Sequence, residues 1–408
     1  MIHAFPPWGK CGMINSILSG CNQEWEHGGN TMDYTQQRED LIWNVDSDGD
    51  EYQNVLRVLN EDFRTFGESV TALMEKKALH EIERPIEYLR ECCEHTGVPL
   101  EDIGSAGTLR NWFSGKIRPK KGEDSREKMF ALAFALRLSI PETSELFHKA
   151  YLDRAFNQRN YRELIYYFCI GRGLSYADAK NLIAQVHLGA GNESDMTVRT
   201  QQIAADADQM VRKEELLHYI RTHEHNFMLN NHSARIEAEK LKKRAQACAQ
   251  ECAGLLSRRD YYHSKDIHSD SFLYAFMTNQ QINGKGMSGT GTIPIANTHL
   301  PEEIRKNFPQ VKSLALNMDS FEEMRKVIIL LFSYEYWYRV QNGGEVSETD
   351  IYDDYISQLD ALLSETNLPL LYYGNPFDWL FMYCTATAQP LDTFQGILAE
   401  VLEEADAQ

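Results

Sequence analysis

Apolar residues recur at three- and four-residue intervals through most of the chain, and that spacing confines it to a helical fold. In EYQNVLRVLNEDFRTFGESVTALMEKK (51–77) the pattern runs through Val55, Leu56, Leu59, Phe63, Phe66, Val70 and Leu73. Start and stop signals punctuate it. PIEYLRECCEHTG (85–97) opens with Pro and closes with Gly, the asymmetry of a helix. DSREKMFALAFALRL (124–138) places Glu127 three residues after Asp124, which predicts a capping box on a helix apolar nearly all round. SIPETSELFHKAYL (139–152) repeats the device with Ser139, Pro141 and Glu142. RELIYYFCIGRGLSYADAKNLIAQV (162–186) reads as two helices parted at Gly171–Gly173, with Ser175 capping the second. Strand-like alternation is scarce, so the expected class is mainly α and multi-helical.

Breaks in the pattern divide the chain. Residues 1–50 read as a flexible N-terminal arm, and 51–188 as a helical domain. EHGGNTM (26–32) can be encoded with a purine-rich tract just upstream of the Met32 codon, so translation starts at Met1 or at Met32. After GAGNESD (189–195), residues 196–282 form a polar helical or coiled segment, and NGKGMSGTGTIP (283–294) is a Gly-rich loop. Residues 295–408 are a C-terminal helical domain. Its helix NPFDWLFMYC starts with Asn375 as cap, Pro376 in the first turn and Asp378 near the dipole. The aromatic residues Tyr334, Tyr336, Trp337, Tyr338, Trp379, Phe381 and Tyr383 are expected to pack inside it; exposed instead, they would offer a protein partner a surface.

Charge narrows the function. The chain carries a formal −19, which opposes non-specific binding to nucleic acid or anionic lipid. The most apolar run, VIILLF (327–332), is too short to span a bilayer. The start lacks a charged segment followed by an unbroken apolar core, and the eight cysteines sit mostly in helical contexts, so reduced thiols in a cytoplasm are expected. Against this acidic background, residues 105–121 carry Arg110, Lys116, Arg118, Lys120 and Lys121 and no acid. Any nucleic-acid contact must come from such a local patch.

Several motifs imitate known chemistry and fall short. Cys248, Cys252, His263 and His268 come near a zinc-finger spacing, but the cysteines lie in a helical run and the apolar residues of a finger are missing. The turn DSDGDE (46–51) puts Asp46, Asp48 and Asp50 at calcium-loop positions, but Glu51 stands where Gly is needed and Arg57 where a bidentate Glu is needed. GKGMSG (284–289) fits a dinucleotide loop in letters only, because Pro294 blocks the helix that must follow. Acid pairs elsewhere read as solvated helix faces. No set of residues assembles a catalytic constellation, so no enzymatic activity, metal or cofactor is expected.

Residues 85–150 read as five short helices: PIEYLRECCEHTG, PLEDIG, AGTLRNWFSG, SREKMFALAFALRL and PETSELFHKAYL. Their order, with the phrase Leu109, Trp112, Gly115, Lys116, Arg118, Pro119 and the apolar helix of Phe134, Ala135 and Leu136, resembles the lambda-repressor-like (Cro and XRE-type) helix-turn-helix family. The resemblance covers roughly a sixth of the chain. It implies that the third helix enters the major groove, with Thr108, Arg110 and Asn111 facing bases and Lys116, Arg118, Lys120 and Lys121 facing phosphates. Arg and Asn are the residue types that make bidentate contacts to guanine and adenine. It also implies a homodimer and a role in transcriptional regulation. The sequence departs from the pattern in its second helix, about five residues short. The other expectation is therefore a protein-interaction scaffold with a vestigial helix-turn-helix. FRTFGES, YYFCIGRGLSYADA and NPFDWLFMYC are similar to segments of helical proteins from Gram-positive gut bacteria, which implies a bacterial cytoplasmic protein.

Overall fold

The computed structural model describes residues 33–45, 51–187, 200–227, 232–256, 268–278, 299–318, 320–343 and 351–399. All regular structure among them is helical, and it divides into two hydrophobic cores. The calcium-loop aspartates, His263 and the GKGMSG loop lie outside the described residues.

Part of the expected flexible arm is a helix, α1 (Tyr34–Asn44), which corrects that expectation. Its sequence is polar and only Ile42 is buried, so periodicity gives little sign of it. It is held by single contacts instead. The Arg64 guanidinium lies 4.1 Å from the centre of the Tyr34 ring, and Trp379 Nε1 donates to the Arg38 carbonyl at 2.9 Å. The helix α2 (Glu51–Glu61) buries Val55, Leu56, Val58 and Leu59, but against the C-terminal helices rather than residues 85–188. An amphipathic pattern fixes which face is buried and not what covers it. The chain crosses to the other core after Phe63.

The first lobe then forms. The helix α3 (Phe66–Ala78) starts in a capping box made by Thr65 and Glu68. After it come α4 (Pro85–Thr96), α5 (Leu100–Ile103), α6 (Ala106–Phe113) and α7 (Glu123–Ala135). The box expected from Asp124 does not form. Gly122, at φ +137°, turns the chain early, α7 begins at Glu123, and Glu127 pairs with Arg162 at 2.7 Å. The helix α8 (Ile140–Glu145) has the expected Ser139–Glu142 box and widens into a π-turn over Leu146–Tyr151. The helices α9 (Tyr161–Gly171) and α10 (Tyr176–Ala184) follow, the second capped by Ser175 as expected. Half of the polar segment completes this lobe: α11 (Thr200–Gln209) and α12 (Lys213–Thr222) bury Ile203, Ala207, Leu216 and Ile220 in the same core.

The other half belongs to the second lobe. The helix α13 (His232–Leu256) runs along α16 and seats Ala234, Ala238, Leu241, Ala245 and Ala249 in its core. The helices α14 (Asp270–Thr278), α15 (Glu302–Asn307), α16 (Phe321–Gln341), α17 (Ile351–Glu365), α18 (Pro376–Ala386) and α19 (Pro390–Ala399) complete it. The seven C-terminal aromatics are all buried, so they pack as a core and offer no surface. No helix among the described residues is long and apolar enough to cross a membrane.

Arg154 and His148 make contacts that join the lobes. Arg154 donates to the Asn367 carbonyl at 2.8 Å, and its guanidinium lies 4.0 Å from the Phe321 ring centre. His148 meets the Tyr372 ring at 4.9 Å. Burial pushes the His148 pKa down to about 4, and the charges of Arg325 and Lys149 push the same way. The folded protein therefore holds this imidazole neutral, whereas the unfolded chain protonates it below about pH 6.5. That contribution is whole above the unfolded value and is lost as pH falls toward the folded one. Urea midpoints measured between pH 7 and 4 should fall by the equivalent of about 2–3 kcal/mol, and His148→Gln should flatten the profile. An equal slope in both proteins would refute the assignment.

Candidate nucleic-acid interface

The third helix of the resembling module, α6, is anchored by two residues. Leu109 and Trp112 are buried, and Trp112 meets Phe66 edge-on at 5.3 Å. Its N-terminus is closed by Ser105, whose Oγ accepts from the Thr108 amide at 3.2 Å and lies 3.0 Å from the Thr108 hydroxyl. Its far end lies against the first turn of α3. A Cβ on Gly67 would sit 2.6 Å from Phe113 Cα and 2.7 Å from the Trp112 carbonyl oxygen, so this approach needs glycine. With one side of α6 fixed, helical spacing leaves Ala106, Arg110 and Ser114 on an outward stripe, with Gly107 and Asn111 beside it. Arg110 is exposed and Asn111 half-buried.

The basic stretch after α6 splits in two. Lys116 and Lys120 are exposed. Arg118 and Lys121 instead turn toward the end of the π-turn, where helix carbonyls lack partners. Arg118 donates to the Ala150 carbonyl at 2.9 Å and also to Arg64. Lys121 donates to Leu152 at 3.0 Å and to Tyr151, and its ammonium lies 4.1 Å from the Tyr151 ring centre. These two cations hold the loop to the lobe, so the expectation that all four basic residues face outward is corrected for them. Thr108 is likewise turned to its own helix cap.

Tertiary packing adds cations that sequence reasoning missed. Arg84 and Arg90 of the α4 segment line a cleft of about 350 Å³ together with Arg110. Arg84 lies 3.8 Å from Glu87, an exposed pair. Among the described residues no carboxylate pairs with Arg90, Arg110, Lys116 or Lys120. The signal in the sequence was weak: Arg84 and Arg90 flank PIEYL, and only the packing of α4 on α6 makes them neighbours of Arg110. The second helix, α5, is a single turn, as its shortened sequence implies. Its acid Asp102 is oriented toward Tyr176 of α10, whose phenol burial and Asp102 together push up in pKa.

The metal motif does not assemble. Cys248 and Cys252 lie on α13, and His268 Nδ1 is 2.9 Å from Gln250 Nε2. Among the described residues no group of three or more His, Cys, Asp or Glu side chains is placed to hold a metal. Protein-family models, curated proteins and solved structures give no match to this chain.

Proposed function

We propose that the protein is a sequence-specific DNA-binding protein, a transcriptional regulator that reads duplex DNA with α6. One observation carries this reading. The outward side of α6 joins small residues, which permit close approach, to Arg110 and Asn111; Arg90 lines the same cleft as Arg110, Lys116 and Lys120 follow the helix exposed, and among the described residues none of these cations has a paired carboxylate, on a chain of −19. A strongly acidic molecule repels DNA in general, so binding is confined to this face. Arg110 and Asn111 are the base-reading residues, and Lys116 and Lys120 position the backbone. A module this small gains useful affinity by binding two half-sites as a homodimer.

The test is selection from a pool of random duplex DNA at physiological salt. An enriched motif is expected, palindromic if the protein is a dimer. Arg110→Ala should weaken binding to that motif by about 1–3 kcal/mol and relax the base preference at one position. Lys116→Ala should weaken all sequences alike and lower the salt slope by about 1. Absence of any enriched motif, at low as well as physiological salt, would defeat the proposal.

A second reading draws on the one-turn α5 and the inward Arg118 and Lys121. A helix-turn-helix that has lost a turn and part of its basic loop can serve as a docking face in a non-enzymatic scaffold. Under that reading the α6 substitutions leave DNA retention at background in both wild type and variants.

A further inference from the structure

Two helix connectors in the first lobe are built alike. At the end of α7, the Arg137 amide donates to Phe134 at 3.1 Å and the Leu138 amide to Ala133 at 2.9 Å. At the end of α9, the Gly173 amide donates to Ile170 at 3.1 Å and the Leu174 amide to Cys169 at 2.9 Å. Each connector then passes through its leucine to a serine that caps the next helix in a reciprocal box, Ser139 with Glu142 and Ser175 with Asp178. The residue in the left-handed conformation differs. It is Gly173 at φ +63° in one connector and Arg137 at φ +51° in the other. Glycine adopts this conformation without strain and arginine does not. The Arg137 side chain does little within the fold to offset that strain. It is exposed, and it donates one long hydrogen bond of 3.4 Å to the His95 carbonyl.

The two connectors meet across a cleft of about 470 Å³, within the range of small-molecule sites. Its lining mixes apolar Val98, Phe134, Leu138, Ile170 and Leu174 with polar side chains, among them His95, Thr96 and Ser175. Its charged rim is uneven. Lys77 is neutralised by Glu142 at 2.8 Å, and Glu142 also accepts from the Ser139 amide at 2.7 Å. The capping boxes occupy the Ser139 and Glu142 amides of one helix start and the Ser175 and Asp178 amides of the other. His95 Nδ1 is occupied by the Glu91 carbonyl at 2.7 Å. Arg137 also stands on the rim, and among the described residues no carboxylate pairs with it.

We propose that this cleft binds a small monocarboxylate with an apolar body, an aromatic or medium-chain acid, whose head pairs with Arg137. A planar fork matches a planar carboxylate. One unneutralised cation suits a monoanion better than a phosphate dianion, and the leucine-lined walls take the hydrocarbon. The site stands whether or not α6 binds DNA.

The test uses the full chain and four probes: octanoate, benzoate, acetate and benzamide. Calorimetry should give saturable binding at millimolar or lower concentration for octanoate or benzoate. Acetate lacks the body and benzamide lacks the charge, so neither should bind comparably. Arg137→Gly should weaken the acid about tenfold or more. The same variant should raise the melting midpoint of the unliganded protein by roughly 2 °C, because glycine relieves the backbone. Arg137→Gln removes the charge and keeps the backbone residue type unfavourable, so it should lose binding without that gain. Failure of both acids to bind overturns the proposal, as does equal binding in Arg137→Gly or equal binding of benzamide.

Discussion

Replacing Arg126 by methionine lowers the stability of the first lobe by about 3–5 kcal/mol, the expected loss when one partner of a buried ionic group is removed. Arg126 spends all its donors inside the protein. Nε and Nη2 donate to the two carboxylate oxygens of Glu163, each at 2.7 Å, and Nη1 donates to Asp153 at 2.9 Å. The Arg154 and Ala155 carbonyls accept at 2.8 and 2.9 Å. Glu163 also takes the Asn157 amide at 2.6 Å. The substitution would leave two carboxylates buried without their cation. The consequence reaches beyond the site, because this cluster shapes residues 153–157, and Arg154 carries the contacts to Asn367 and Phe321 of the other lobe. Urea denaturation followed by circular dichroism should show the lower midpoint. Arg126→Lys should recover only part, since an ammonium cannot replace the fork. Replacing Arg126, Asp153 and Glu163 together by apolar residues of similar volume should restore most of the stability. A loss below about 1 kcal/mol for Arg126→Met would contradict this account.

Asp378→Ala should have an effect of similar size on the second lobe. Asp378 and Arg325 are 0% and 2% exposed at their side chains and bond through both oxygens at 2.7 Å. Arg325 further donates to the Pro369 and Leu370 carbonyls at 2.8 and 2.9 Å, and Asp378 accepts the Tyr372 amide at 3.0 Å. One ion pair therefore ties α16, α18 and the extended segment 368–373 together. Truncating Asp378 buries an unpaired guanidinium, worth about 3–5 kcal/mol. Trp337 and Trp379 are buried in the same core, so their fluorescence should shift to longer wavelength at lower urea in the variant. Because Tyr372 is also the ring against His148, the variant should steepen the acid sensitivity of the lobe contact. Unchanged tryptophan transitions would show that the pair contributes little.

Much of the fold was legible because it depends on neighbours in sequence. The caps at Ser139, Ser175 and Asn375 formed where serine or asparagine precedes an apolar run. The one-turn α5 follows from the few residues between Pro99 and Gly104. The ionic clusters were not legible. Asp153, Glu163 and Asp378 are buried, since each carboxylate meets an arginine at least 27 positions away, a pairing that local spacing does not show. Asp378 was read as a dipole partner, and its main partner is Arg325.

The candidate interface divides along the same line. From the sequence, the resemblance implied a short helix offering Thr108, Arg110 and Asn111; the structure buries Leu109 and Trp112, turns Thr108 to its own cap and leaves Arg110 exposed. Sequence alone determined the local excess of cations on an acidic chain. Only the tertiary structure decided which cations remain available. Arg118 and Lys121 turn to the carbonyls of the π-turn, and Arg90 arrives on α4. A side chain's charge is written in the sequence, but its availability depends on which unsatisfied backbone groups folding brings within reach, and those groups lie far away along the chain.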